Sequence, residues 1–498
     1  MTEQRDARTG RIALAALVVV LLVSLVWFVH PFYEPVNDAS LYILTARSIL
    51  AGEGYSYQGV PFIVRPPGFS VLLAGVLGLF GTNFYALNLV VSLFGVACIA
   101  AMFVTFRRRL GTWTCLAMCL FVWTGSAWQR LCNQVLSDVP GAAMMFGCLL
   151  LERWSARERT WKRHAVLGLA ITVSMYFRSI NVLLVPAVLC ARVAERFGGS
   201  GGDREQGGRR SWKPLLAVVL VPVLLQLPWS LRNAAADVPI PPEHVYLHSY
   251  GAAMWHTEAW DPNSPWITPA DFFARIPARL EELVPALGAS LGDPAPGSRD
   301  FVLGVVALVL WGVSLLRRRG AVDFLGAGVL FALSVYFAFK TRLALPAYLL
   351  ILPGAVDSLR WLLGKPAGER LAGVAVLAAL IVATVVEYKP FGQWPALRAQ
   401  HDEYLEVARV VNRRFPGDAP LCAPHGWHYA VYLDRTVYSM RIVAARKGDP
   451  AALAWVLAKH PVGALVSDLP MEGLYLVLFR RVFAAERALS GHHVFKCP

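Results

Sequence analysis

The sequence is short of charge, and of acid most of all. Only 16% of its 498 residues are Asp, Glu, Lys or Arg, and Asp plus Glu number 33 against 47 Lys plus Arg. Beside 56% hydrophobic residues and a mean hydropathy of +0.49, so little charge excludes an ordinary soluble globule and points to a polytopic membrane protein. The chain lacks both Gly-x-Gly-x-x-Gly and the Walker A pattern, which removes the usual glycine-rich cradles for a nucleotide phosphate. Its eight cysteines lack metal-ligand spacing. Cys98, Cys115, Cys119, Cys132, Cys148 and Cys190 lie in or beside hydrophobic segments and read as packing residues. Cys422 and Cys497 fall in the polar tail, where a disulfide is open to them if that tail lies outside the cytoplasm. A cleavage site of small residues is missing too: Arg5, Arg8 and Arg11 precede the apolar run from Ile12 to Phe28, which reads as an uncleaved first transmembrane helix.

What is present is a series of apolar runs near the ~20 residues that a membrane helix needs. They are Ile12–Val29, Thr82–Phe106, Trp113–Trp128, Val139–Leu151, Ala165–Phe177, Ile180–Val193, Leu215–Trp229, Phe301–Leu316, Ala321–Phe339, Leu343–Leu359 and Leu371–Val386. The fold expected is an all-α polytopic bundle of about eleven transmembrane helices. Pro67–Phe80 is shorter and rich in Gly, and reads as an amphipathic re-entry helix along the interface. The net charge of +14 is no nucleic-acid surface, because Lys and Arg gather in short clusters between apolar runs. With the N-terminus inside, Arg107–Arg109, Arg153–Arg163, Arg192–Lys213, Arg317–Arg319 and Arg360–Arg370 all fall on the cytoplasmic side. Basic loops flank Ala165–Val193 on both sides, so that stretch reads as two short helices turning at Arg178. Residues 1–388 then form the membrane part, with outer loops 30–81 and 230–300, and Phe197–Arg210 is a flexible cytoplasmic linker. Residues 389–498 alternate helix-like stretches (Glu403–Phe415, Pro450–Lys459) with strand-like ones (Ala430–Tyr438, Val462–Val466), a small C-terminal extracytoplasmic α/β domain.

The charges left at the outer ends of apolar segments are Asp38, Arg65, Asp138, Arg178, Arg232, Lys340 and Arg342. Cations on that side run against the positive-inside bias, and one shared reason is an anionic ligand such as a lipid phosphate. Each has a plainer reading beside this one. The cations could snorkel to headgroups, Asp38 could cap the helix that follows it, and Asp138, two residues before Pro140, could mark a helix start. His244, His248 and His256, with Glu243 and Glu258, are candidate metal ligands whose spacing matches no established zinc pattern, so a divalent metal stays open.

Asp38 four residues before Tyr42, then Ala46, Gly52, Arg65-Pro66-Pro67-Gly68-Phe69 and Leu72-Leu73-Ala74, resemble the first outer loop of the GT-C glycosyltransferases of the protein-mannosyltransferase and aminoarabinose-transferase type. Pro228-Trp229-Ser230-Leu231-Arg232-Asn233 is similar to a Pro-Trp-x-x-Arg-Asn that ends a later helix in bacterial members. Arg342-Leu343-Ala344-Leu345-Pro346 is similar to their Arg-Tyr-x-x-Pro, with Leu343 in place of the aromatic. The resemblance implies an inverting transfer of a sugar from a polyprenyl-phosphate carrier to a lipid, glycan or protein acceptor at the outer face of the plasma (inner) membrane. It implies Asp38 as general base, and Asp138, from its place at the outer end of an apolar segment, is the candidate second acidic site. Arg65, Arg178, Arg232, Lys340 and Arg342 would bind the donor phosphate. Where many relatives carry Asp-Glu, this chain has Asp38-Ala39, so the helper glutamate is missing. A lipid-linked-sugar transporter or flippase would also collect cations for a phosphate, but it needs a polar path, and the helix interiors are almost free of charge. A glycan polymerase or ligase using the same donors is the other alternative.

Overall fold

A backbone in hydrocarbon must satisfy its polar groups within its own segment, so apolar runs of this length fold as helices. The structure, a computed structural model, describes residues 2–57, 59–158, 160–198, 213–236, 254–257, 264–290, 297–363, 394–414, 417, 421–423, 426–433, 435, 437–439, 464–467, 484–489 and 492–496. Among the described residues, five helices are long and apolar enough to cross a bilayer: Ala7–Phe28, Phe84–Leu110, Lys213–Ala235, Ser298–Arg318 and Thr341–Leu363. The chain is a multi-pass membrane protein.

Helix α1 (Thr2–Phe28) leads into a short loop helix, α2 (Asn37–Leu50), and a two-stranded antiparallel hairpin of β1 (Ser56–Tyr57) and β2 (Val60–Pro61). Then come α3 (Gly68–Phe80), α4 (Phe84–Leu110), α5 (Thr112–Thr124), α6 (Ser126–Cys132), α7 (Asp138–Arg157), α8 (Trp161–Phe177), α9 (Leu184–Gly198) and α10 (Leu216–Ala235). Helices α11 (Pro269–Gly288), α12 (Ser298–Arg318), α13 (Ala321–Ser334) and α14 (Leu345–Leu363) follow. Further on lie α15 (Trp394–Arg414), α16 (Gly426–Leu433) and strands β3 (Leu421–Ala423), β4 (Val437–Ser439), β5 (Ala464–Ser467), β6 (Ala484–Leu489) and β7 (His492–Lys496). The strands form one mixed sheet in the order β4-β3-β5-β7-β6, with β3 parallel to both β4 and β5.

Several expected segments differ in detail. Trp113–Trp128 is two helices, because Gly125 adopts an extended backbone between α5 and α6. Helix α13 stops at Ser334, short of Phe339. The re-entry segment is α3, with Phe69, Leu73 and Leu77 buried and Val71, Leu79 and Phe80 exposed. Ala430–Tyr438 is not one strand: α16 runs to Leu433 before β4 begins at Val437. The segments Leu371–Val386 and Pro450–Lys459, and most of the linker, lie outside the described residues. Of the cysteines read as packing residues, five are buried and Cys190 is exposed.

The turn at Arg178 can be argued from two contacts. Arg192, near the end of α9, pairs with Glu152, near the end of α7. Arg178, between α8 and α9, instead lies against Gly141 at the start of α7. Helices α8 and α9 therefore run in opposite directions, as the flanking basic loops require. The same far end of the bundle carries an ion-pair set built on two buried carboxylates. Arg109 reaches Asp323 and Asp357 at 3.0 Å each, and Arg318 reaches Asp357 at 3.0 Å. Clusters read as topology markers thus also tie α4, α12, α13 and α14 together. Burying such charges unpaired would cost several kcal/mol per ion. The opposite end of α4, where Asn88 donates to the carbonyls of His30 and Phe32, is about 30 Å away by helical rise and holds the candidate site.

A cysteine at Ala51, exposed beyond α2, should react with an impermeant thiol reagent in intact cells, and one at Glu158, exposed beyond α7, should not. The reverse pattern would invert the orientation set by the basic clusters.

Candidate active site

Helix α2 begins after Val36, whose side chain makes no cap, and Asp38 sits inside the first turn. Among the described residues its carboxylate accepts from two arginines and from no backbone group. Arg65 Nη2 donates to Oδ1 at 2.6 Å, and Arg342 Nη2 donates to Oδ2. The capping reading of Asp38 therefore gives way to an ion-pair role. Asp138 is the first residue of α7, as the helix-start reading has it, yet its carboxylate too faces arginines. Oδ2 lies 2.9 Å from Arg178 Nη1 and 3.4 Å from Arg342 Nη1, while Oδ1 is buried without a hydrogen-bond partner among the described residues. Arg342 thus spans the two carboxylates, and a continuous string runs Arg65, Asp38, Arg342, Asp138, Arg178.

Local structure explains why these side chains meet. Asp38 and Asp138 occupy first turns of helices, where the positive end of the helix dipole favours a carboxylate. Tyr42 lies one turn beyond Asp38; its ring backs the Arg65 guanidinium at 5.2 Å, and its hydroxyl shares a 2.7 Å hydrogen bond with Ser137, next to Asp138. The chain approaches closely at Arg65-Pro66-Pro67-Gly68: a Cβ on Gly68 would sit 2.7 Å from the Tyr176 carbonyl oxygen. Gly141 does the same for Arg178, where a Cβ would meet side-chain carbons at 2.8 and 2.9 Å. Burial by itself would raise the pKa of Asp38. The charges and hydrogen bonds of Arg65 and Arg342 outweigh it and hold the carboxyl well below the usual carboxylate range.

Two expected members lie elsewhere. Arg232 donates to the carbonyls of Phe62 at 2.8 Å and Tyr55 at 2.6 Å, and to Asn233 Oδ1 at 2.9 Å, with its guanidinium 5.1 Å from the Trp229 ring centre. It fastens the hairpin loop to the end of α10. Tyr55 carries that anchorage to the string, because its hydroxyl donates to the Arg65 carbonyl at 3.2 Å. Lys340 is exposed, two residues before Arg342.

Residues 64–229 match the family model described as dolichyl-phosphate-mannose-protein mannosyltransferase, a span that holds Arg65, Asp138 and Arg178. No curated protein matches the chain in sequence. Among solved structures it is similar to ArnT from Cupriavidus metallidurans in the apo state, at 15% identity and a TM-score of 0.61 over 98% of both chains. The same protein bound to undecaprenyl phosphate matches at 14% identity and a TM-score of 0.56 over 97% of both chains. The chain has the GT-C glycosyltransferase fold. An apo oligosaccharyltransferase from Archaeoglobus fulgidus shares it at 12% identity and a TM-score of 0.52, over 92% of this chain and 69% of that one.

Within this fold the two carboxylates do not form a ready chelate, because the Arg342 guanidinium already spans them. Among the described residues no group of three or more His, Cys, Asp or Glu is placed to hold a metal ion. Of the histidine and glutamate candidates only His256 is described, its Nδ1 at 2.8 Å from the Ser264 carbonyl and its ring against Trp266. His244, His248, Glu243 and Glu258 lie outside the described residues, as does the side chain of each tail cysteine. Sequence reasoning missed Ser137 and the second role of Tyr42. Their signal is position: each sits within a turn of a carboxylate that stands out.

Replacing Arg342 with Met should leave Asp38 and Asp138 facing one another with one shared partner gone, at a cost of roughly 3–5 kcal/mol. The measurement is the thermal midpoint in detergent. Adding Asp38→Asn to Arg342→Met should recover part of the loss; strictly additive losses would show that the two do not interact.

Proposed function

We propose that the chain is an inverting glycosyltransferase that moves a sugar from a polyprenyl-phosphate carrier to a lipid, glycan or protein acceptor. The observation that carries this reading is the string of Arg65, Asp38, Arg342, Asp138 and Arg178 at the converging helix ends. Three guanidinium groups against two carboxylates leave one positive charge, which suits the single negative charge of a phosphodiester-linked sugar carrier. The ArnT structure bound to undecaprenyl phosphate supports a donor of this class.

In the reaction the acceptor oxygen or nitrogen forms a bond to the anomeric carbon on the face away from the phosphate. The bond from that carbon to the phosphate oxygen breaks, its electron pair stays on the phosphate, and the acceptor proton passes to Asp38. Arg65 and Arg342 then stabilise charge gathering on the leaving phosphate. They also weaken Asp38 as a base while paired with it, so a phosphate that draws them away restores its basicity at the moment the donor is in place. Lys340, exposed nearby, and Arg178 extend the positive face. Arg232 acts by holding the loop. We place residues 1–388 as the catalytic membrane part in the plasma membrane, N-terminus in the cytoplasm, and residues 389–498 as an extracytoplasmic α/β domain on the side of the site.

Purified protein should transfer sugar from a polyprenyl phosphate and ignore the matching nucleotide sugar; turnover with the nucleotide sugar alone would sink the reading. Asp38→Asn should lower the rate by roughly 10²–10⁴ with expression unchanged, since Asn cannot take the proton. Because the carboxyl of Asp38 is held below its ordinary value, it stays ionised at neutral and mildly acidic pH. The acid limb of kcat/KM should therefore fall below about pH 4. A limb near neutrality would assign the base to another group.

A further inference from the structure

Helix α2 is held on two faces. One carries Asp38 and, a turn on, Tyr42. Ser40 is two residues from Asp38, about 200° around the helix, and Arg47 lies two turns beyond Ser40 on its own side. That second face meets α16, from the far end of the chain. Ser40 Oγ and His428 Nδ1 share a 2.8 Å hydrogen bond, Tyr33 Oη lies 2.5 Å from the same Ser40 oxygen, and His428 Nδ1 is 3.3 Å from Tyr33 Oη. All three residues are buried. Arg47 donates to the carbonyls of Val431 at 2.8 Å and Ala430 at 3.3 Å. Those carbonyls belong to the last turn of α16, where helix acceptors have no partner of their own and a cation is favoured. Leu44, between the two contacts, packs against both the membrane core and the small core built from Val407, Val411, Tyr429 and Leu433.

From this geometry we infer that His428 is a positioning residue for the reaction proposed above. Through Ser40 and Tyr33, and together with Arg47, it fixes the rotation and height of α2 that set Asp38 between Arg65 and Arg342. Tied on its other side to α3, through the Thr45 and Ser70 hydroxyls at 2.8 Å, α2 could still rotate toward its arginines or follow the donor phosphate. A second attachment on the opposite face removes that freedom, so the carboxylate stays in register when the arginines turn to the phosphate. The C-terminal segment is then part of the machinery that presents the base, and its role is separable from any contact with the acceptor.

The inference rests on the glycosyltransferase reading, and its test has a readout that does not. Full-length protein in nanodiscs would be compared as wild type, His428→Ala, His428→Asn, Ser40→Ala and the His428→Ala/Ser40→Ala double variant. The measurements are kcat and KM for a polyprenyl-phosphate sugar, and amide hydrogen exchange of the peptide covering residues 37–50. His428→Ala should raise exchange in that peptide and lower kcat by roughly 10–100-fold, with donor KM changed less than about two-fold. His428→Asn, whose amide can still meet Ser40, should restore most of both, and the double variant should be no worse than the weaker single. Unchanged exchange in residues 37–50 would overturn the clamp, and a fall in kcat without it would place His428 elsewhere. Exchange raised throughout the protein in both His428 variants would reduce the contact to general stability. Failure of wild-type protein to transfer sugar would overturn the activity reading alone, because the exchange result still decides the clamp.

Discussion

Two carboxylates brought to the same point repel one another unless something positive lies between them, and in this chain that something is one guanidinium. Arg342 reaches Asp38 with one nitrogen and Asp138 with the other. A planar group with fixed donors suits this task where a lysine ammonium would not, because it can serve two acids along two directions at once. Around that bridge the rest is support: Arg65 and Arg178 take the outer partners, Tyr42 backs Arg65, Gly68 lets two backbones come close, and Gly141 makes room for the Arg178 side chain. The bundle supplies its helix ends at one point of space, and the buried pairs around Arg109 fasten the other ends.

Much of this could be read from the sequence for a simple physical reason. In a chain so poor in charge, an ionised residue at the end of an apolar run is conspicuous, and Asp38, Arg65, Asp138, Arg178 and Arg342 all stand out in that way. What the signal does not carry is the partner. Arg232 and Lys340 stand out equally, yet Arg232 turns to backbone carbonyls and Lys340 is exposed. The same limit applies to Arg109, which looks like any topology marker until Asp323 and Asp357 are seen to converge on it from two other helices.

The tail was harder to read. A short run such as Ala430–Tyr438, rich in aromatic and β-branched residues, fits a strand and a buried helix about equally, and here the chain divides it between the two. His428 carried no signal at all, since a single histidine gains meaning only from what the fold sets beside it. Gly125 shows the opposite case: a glycine inside an apolar run is a weak hint of a break, and the break between α5 and α6 falls there.

The contact between Ser40 and His428 joins residues 388 positions apart. One side of it leaves the ribosome well before the other. Until residues 426–433 have been made, α2 has its membrane neighbours but not α16. The helix that carries Asp38 therefore gains this contact only after its own membrane neighbours are in place, and a chain cut short before residue 426 would lack it.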